Sequence, residues 1–279
     1  MYKILEKTQF SEKVFKFRIE APAIAKHAHA GQFLMVRANE TGERVPFTLA
    51  GWNGDEGWVE FIFMVIGKTT EMLSTYEAGE SLRDVVGPLG VPTEMAEGPC
   101  AVIGGGVGLA IAFPVAKHLV ETGHEVHAIM GARTKDLLLM EDQFRELLDE
   151  DHIHITTDDG SYGEKGVVTA PLERLLKDKA VDAAFCVGPV PMMKFSTLTA
   201  QKYDTPITAS LNPIMVDGTG MCGCCRVEVG GVTKFACVDG PDFDATLVDW
   251  DDLRARQAAY RSEEGASLKA YEEKSCACH

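Results

Sequence analysis

Four of the eight cysteines lie between positions 222 and 237, in the run Asp217-Gly-Thr-Gly-Met-Cys222-Gly-Cys224-Cys225-Arg226 with Cys237 beyond it. The surrounding segment, Asn212 to Phe243, is rich in Gly, Cys and Asp and too short to hold a core unaided, so it needs a metal or a neighbour. Counted from Asp217, the spacing copies the C-x4-C-x2-C…C pattern of plant-type clusters, with aspartate in place of the first cysteine. A [2Fe–2S] centre held by Asp217, Cys222, Cys225 and Cys237 fits that spacing. Glycines at 218, 220 and 223 allow a tight loop whose backbone N–H groups face the sulfurs. Cys224 is then a spare thiol, since two adjacent cysteines cannot both face one small cluster. The rival readings are structural zinc and a reactive thiol pair. Zinc usually takes paired C-x2-C arms, and only one such arm is present.

The other residues must supply the frame. A length of 279 residues, 46% apolar, leaves room for two domains and a small appended module. The net charge of −15 argues against nucleic acid as a partner. The first seventeen residues mix charges with alternating apolar positions and resemble neither a signal peptide nor a membrane anchor, so a cytoplasmic chain without a membrane partner is expected.

Residues 1–97 read as an antiparallel β-barrel. Its strands are predicted at Val14–Phe17, Phe33–Val36, Phe47–Ala50, Val59–Ile66 and Leu82–Val86, with a short helix at Thr70–Tyr76. From Cys100 the pattern turns to alternating strand and helix, and residues 98–208 are expected to form an α/β doubly wound, parallel nucleotide-binding domain. Strands are predicted at Ala101–Ile103, Val126–Met130, His152–Thr156 and Ala183–Val187, and helices at Leu109–Leu119, Met140–Leu148 and Ala170–Leu176. Residues 209–245 form the small [2Fe–2S] loop module, and 246–279 a polar surface helix with a frayed Cys276/Cys278 tail.

The glycine run Gly104-Gly105-Gly106-Val107-Gly108 follows a strand and opens a helix, where backbone N–H groups and the helix dipole suit a pyrophosphate. Gly188-Pro189-Val-Pro-Met192 ends a later strand at the same expected sheet edge. In the barrel, Arg44 and Lys68 offer charge for phosphates, and Thr48 offers a hydroxyl for a flavin ring. Gly67-Lys68-Thr69-Thr70 is not a P-loop, because Ile62 stands where the upstream glycine belongs.

In order along the chain, Arg44-Val45-Pro46-Phe47-Thr48, Gly67–Thr70, Gly104–Gly108, Gly188-Pro189 and Asp217…Cys237 resemble the ferredoxin–NADP reductase superfamily. The cluster loop looks like that of the dihydroorotate dehydrogenase electron-transfer subunits. It is closer still to that of the small subunits of NADH-dependent reduced ferredoxin:NADP oxidoreductase, which the aspartate favours. The resemblance implies a flavoprotein with FAD in the barrel, NAD(H) on the α/β domain, NADP(H) as the alternative nucleotide, and the iron–sulfur cluster in the C-terminal loop. FAD would be lined by Arg44–Thr48, Ile62, Phe63, Met64, Gly67, Lys68, Thr69 and Thr70. The nucleotide would be held by Gly104, Gly105, Gly106, Val107, Gly108, Arg133, Asp159, Gly160, Gly188, Pro189 and Met192. No side chain is assigned a catalytic role. Many members place a cysteine directly before the Gly-Pro, whereas Val187 separates Cys186 from Gly188, so Cys186 reads as a buried strand-end thiol.

The implied partner is a larger flavin and iron–sulfur subunit in a heterodimer or higher assembly, with ferredoxin reached through the complex and electron bifurcation as its activity. The alternatives are the dihydroorotate dehydrogenase partner and a non-enzymatic redox-sensing module.

Overall fold

The computed structural model describes residues 1–95 and 97–276. The first unit begins with β1 (Tyr2–Ser11), β2 (Val14–Glu20), α1 (Pro22–Ala25), β3 (Phe33–Arg37), β4 (Arg44–Asn53) and β5 (Trp58–Met64). It closes with α2 (Lys68–Ser74), β6 (Ser81–Leu82) and β7 (Asp84–Leu89). The seven strands pair in the order β6-β1-β2-β5-β4-β3-β7, antiparallel at every ladder. Alternation explains the curvature inward: along β2, Phe15, Phe17 and Ile19 are buried with the polar residues between them facing out. Those rings meet Phe61 and Phe63 across the sheet, with Phe17 and Phe63 edge-to-face at 5.1 Å.

The second unit runs β8 (Cys100–Gly105), α3 (Gly108–Glu121), β9 (Val126–Ala132), α4 (Glu141–Leu147), β10 (Ile153–Thr157), β11 (Glu164–Lys165), α5 (Thr169–Lys177), β12 (Ala183–Val187), α6 (Val190–Gln201) and β13 (Ile207–Ser210). The sheet order is β11-β10-β9-β8-β12-β13, all parallel. β8 and β12 are buried along their whole length, as central strands covered on both faces must be. One apolar layer packs α3 and α4 on this sheet, and a second packs α5 and α6 on the opposite face.

The chain then forms the hairpin β14 (Arg226–Val229) and β15 (Val232–Phe235), turned by Gly230-Gly231, followed by α7 (Ala236–Asp239). Next, β16 (Asp242–Asp244) pairs antiparallel with β13 and completes the edge of the second sheet. The cysteine-rich segment thus finds its core in a neighbour: Cys225, Val227, Ala236, Cys237 and Phe243 share one apolar cluster with Met35 of the barrel and Met193 of α6.

The polar stretch expected to be one surface helix is two, α8 (Trp250–Gln257) and α9 (Arg261–Cys276). The Asp249 carboxylate caps α8 by accepting from the Asp251 and Asp252 N–H groups. Trp250 and Leu253 pin α8 to the body, and Gln257 Nε2 donates to the Asn212 carbonyl at 2.7 Å. Beyond Ala258 the chain continues into α9, which packs near α2. The end of the expected tail, with Cys278, lies outside the described residues.

Candidate functional site

The cluster loop is held in shape by its own side chains. Asp217 Oδ2 accepts from Thr219 N at 2.9 Å, Thr219 Oγ1 at 2.8 Å and Met221 N at 3.1 Å, and these bonds hold its carboxyl below the usual range. The charge of Arg44 pushes in the same direction. Gly218 makes the loop fit the barrel: its φ is +83°, and a Cβ there would lie 2.4 Å from Met35 Cγ. Cys225 and Cys237 are both buried, with their sulfurs 3.2 Å apart, close enough to share one iron. Burial and this neighbour push the Cys237 thiol up to about 12. Cys222 is exposed, and the Cys224 N–H points at its sulfur at 3.5 Å. Three thiols with one carboxylate on a loop of inward N–H groups is a donor set that suits an iron–sulfur centre.

Arg44, Val45 and Pro46 form one wall of an open cleft of about 710 Å³ whose opposite wall is Pro213 to Asp217. The strand expected to hold a flavin and the first residue of the cluster motif therefore face each other across one space. Behind this wall Phe47 stacks on Phe61, ring centroids 5.0 Å apart, and Thr48 sits opposite Phe33.

The remaining barrel residues divide by what they can offer. Ile62 and Phe63 are buried, leaving their backbone to a ligand, while Met64 is exposed. Thr70 builds the turn itself: its hydroxyl accepts from Ile66 N and Gly67 N and donates to the Gly67 carbonyl. Thr69 donates to Glu43 at 2.9 Å, and Lys68 pairs with the same carboxylate at 3.6 Å. Glu43, which heads the barrel motif in the sequence but is assigned no role there, thus ties α2 to the start of β4. Its one sequence signal is its place beside Arg44.

The nucleotide candidates gather at the carboxyl edge of the second sheet. Val187 pairs with Gly104, and Gly106 N donates to the Gly131 carbonyl at 2.9 Å. Gly108 is pressed on the β12 end, where a Cβ would lie 2.4 Å from the Val187 carbonyl oxygen. Met192 reaches back across the same edge, so that a Cβ on Gly105 would be 2.3 Å from its sulfur. Arg133 and Asp159 lie just past the ends of neighbouring strands, with Asp159 N donating to the Arg133 carbonyl at 3.3 Å. The Ser161 side chain, and its N–H donating to the Asp159 carboxylate at 2.9 Å, keep that carboxyl below the usual range. Gly160 and Pro189 are exposed at this edge. Cys186 is fully buried and its thiol is pushed far above its ordinary range by burial.

Comparison with known proteins follows this division. Residues 102–197 match the oxidoreductase NAD-binding domain, and residues 212–249 match the iron–sulfur cluster binding domain of dihydroorotate dehydrogenase B. The chain is 48% identical to a dihydroorotate dehydrogenase B (NAD(+)) electron transfer subunit homologue of Thermotoga maritima, over 96% of this chain and 94% of that protein. It is 32% identical to the electron transfer subunit of Desulforamulus reducens, over 89% and 97%. Among solved structures, it superposes on a chain of the NADH-dependent reduced ferredoxin-NADP oxidoreductase with a TM-score of 0.91 and 47% identity, covering 97% of this chain and 98% of that one. A cytochrome P450 reductase of Amycolatopsis, 21% identical with a TM-score of 0.59 over 72% and 65% of the two chains, shares the fold.

Proposed function

Because the chain belongs to the family of dihydroorotate dehydrogenase B electron-transfer subunits and their homologues, we propose that it passes electrons between NAD(H), FAD and a [2Fe–2S] cluster and exchanges them with a larger partner subunit. The observation that carries this reading is the cleft with Arg44–Pro46 on one wall and Pro213–Asp217 on the other. A flavin supplies conversion between two-electron and one-electron transfer, and a [2Fe–2S] centre accepts one electron at a time.

The chain's own residues bind and orient. Arg44 brings positive charge to the flavin wall, and Gly67 with the Thr69–Glu43 tie shapes the turn for a pyrophosphate. Gly104–Gly108 and Gly188–Met192 present backbone to the nucleotide, with Arg133, Asp159 and Gly160 beside them. The acidic Asp158-Asp159 pair favours NADH over a nucleotide carrying a 2′-phosphate. Asp217, Cys222, Cys225 and Cys237 are the cluster ligands. The partner is a larger flavin and iron–sulfur subunit of an electron-bifurcating ferredoxin:NADP oxidoreductase, a reading supported by the 0.91 superposition. The match of residues 212–249 favours dihydroorotate dehydrogenase as a second reading; the chain that copurifies separates the two.

Anaerobic purification with flavin and metal analysis tests the proposal. Flavin, about two irons per chain and a rhombic paramagnetic signal after dithionite reduction are expected. Cys225→Ser loses iron and Cys224→Ser keeps it. Zinc without flavin, or iron lost equally in both variants, overturns the assignment.

A further inference from the structure

At the opposite, amino-terminal edge of the second sheet, four side chains converge that have no part in the electron path. Glu125 precedes β9, His127 lies on β9, His152 immediately precedes β10, and His154 lies on β10. The parallel register pairs Ala128 with Ile153 and Ile129 with His154, which brings Glu125 and His127 onto one face of the sheet with His152 and His154. Glu125 Oε1 lies 3.6 Å from His127 Nε2 and 3.5 Å from His152 Nε2. The His127 and His152 rings stand nearly perpendicular, their centroids 4.4 Å apart. One ligand atom from each of Glu125, His127 and His152 falls within a 4.8 Å sphere of the others.

We propose that Glu125, His127 and His152 form a divalent-cation site of the zinc type, with His154 as its positioning residue. Zinc–nitrogen and zinc–oxygen bonds of about 2.0–2.2 Å in a tetrahedron set neighbouring ligand atoms about 3.3–3.6 Å apart. The two Glu125 distances already match this. Imidazole and carboxylate are the donors such an ion takes.

The second layer is also in place. His127 Nδ1 is 3.3 Å from His154 Nε2. A proton held on His127 Nδ1 and donated to His154 leaves the His127 Nε2 lone pair facing Glu125, the arrangement by which ligating histidines are usually oriented. The side chain of Glu125 is 55% and that of His152 30% exposed, so solvent reaches two of the three donors. About five residues of β9 separate His127 from the nucleotide edge, roughly 17 Å.

The test is metal analysis of the full-length protein carrying its flavin and iron, after passage over chelating resin and dialysis against limiting zinc. About one zinc per chain is expected in the wild type and none in His127→Gln or His152→Gln. Glu125→Gln, an exposed change that spares the fold, should bind more weakly, and His154→Ala should lose about 10–100-fold in affinity. NADH:dye turnover and iron content should stay unchanged in all four. Absence of zinc in the wild type overturns the proposal, as does zinc that survives the histidine changes or rises only as iron is lost.

Discussion

Gly108→Ala is the substitution that probes how the nucleotide edge is held together. Gly108 opens α3, where alanine is ordinarily the better helix former by about 1 kcal/mol, so local propensity predicts a gain. The neighbourhood predicts the reverse. The added methyl would sit 2.4 Å from the Val187 oxygen, 2.9 Å from its carbonyl carbon and 3.0 Å from Gly188 Cα. Carbon–oxygen contacts settle at about 3.3 Å or more, so something must move by nearly an ångström. All three atoms are backbone, on a strand end paired with β8, and cannot rotate away as a side chain would. Overpacking of this kind costs about 1–3 kcal/mol, which exceeds the propensity gain. The displacement falls on Gly188 and the start of α6, so the KM for NADH in dye reduction should rise while flavin and iron content stay at wild-type levels. Thermal unfolding and steady-state kinetics on the same preparation measure both. A variant as stable as the wild type with an unchanged KM would refute the claim that this contact positions the two loops.

Two further outcomes are expected. Burial raises the Asp242 carboxyl to about 6, while its Oδ2 accepts from Thr93 and its Oδ1 is buried without a hydrogen-bond partner among the described residues. A raised acid pKa means that stability is full below the ordinary value of 3.8 and is lost as pH rises through about 6, by up to about 3 kcal/mol. Asp242→Asn should therefore gain on the wild type as pH rises from 4 to 8; parallel stability–pH curves would exclude it. Asp217→Cys exchanges a carboxylate for a more electron-donating thiolate and should lower the cluster midpoint in a redox titration. A midpoint that stays put would show that the aspartate does not tune the cluster.

Much of this arrangement was legible in the sequence because it is written in local chemistry. The alternation of β2, the strand-glycine-helix turn at Gly104–Gly108 and the spacing from Asp217 to Cys237 each depend on residues close along the chain. What escaped was of two kinds. No helix is predicted after Gly188-Pro189, where α6 forms, although proline at a first turn is a helix-start signal. The hairpin β14–β15, with Gly-Gly at its turn, also carried a readable mark. The other omissions were not local. The Glu125–His127 and His152–His154 groups lie more than twenty residues apart and meet only through parallel register. Glu43 acquires its role only when α2 folds back beside it.

The strand β16 has a consequence for how this molecule can be taken apart. By lying against β13 it covers that strand's open border and leaves an edge only three residues long, a short edge being one that recruits other chains less readily. The cysteine loop is therefore moored on both sides, by Gly218 against the barrel and by β16 against the nucleotide unit. A tether would let the distance between redox centres fluctuate; a shared sheet fixes it when the chain folds.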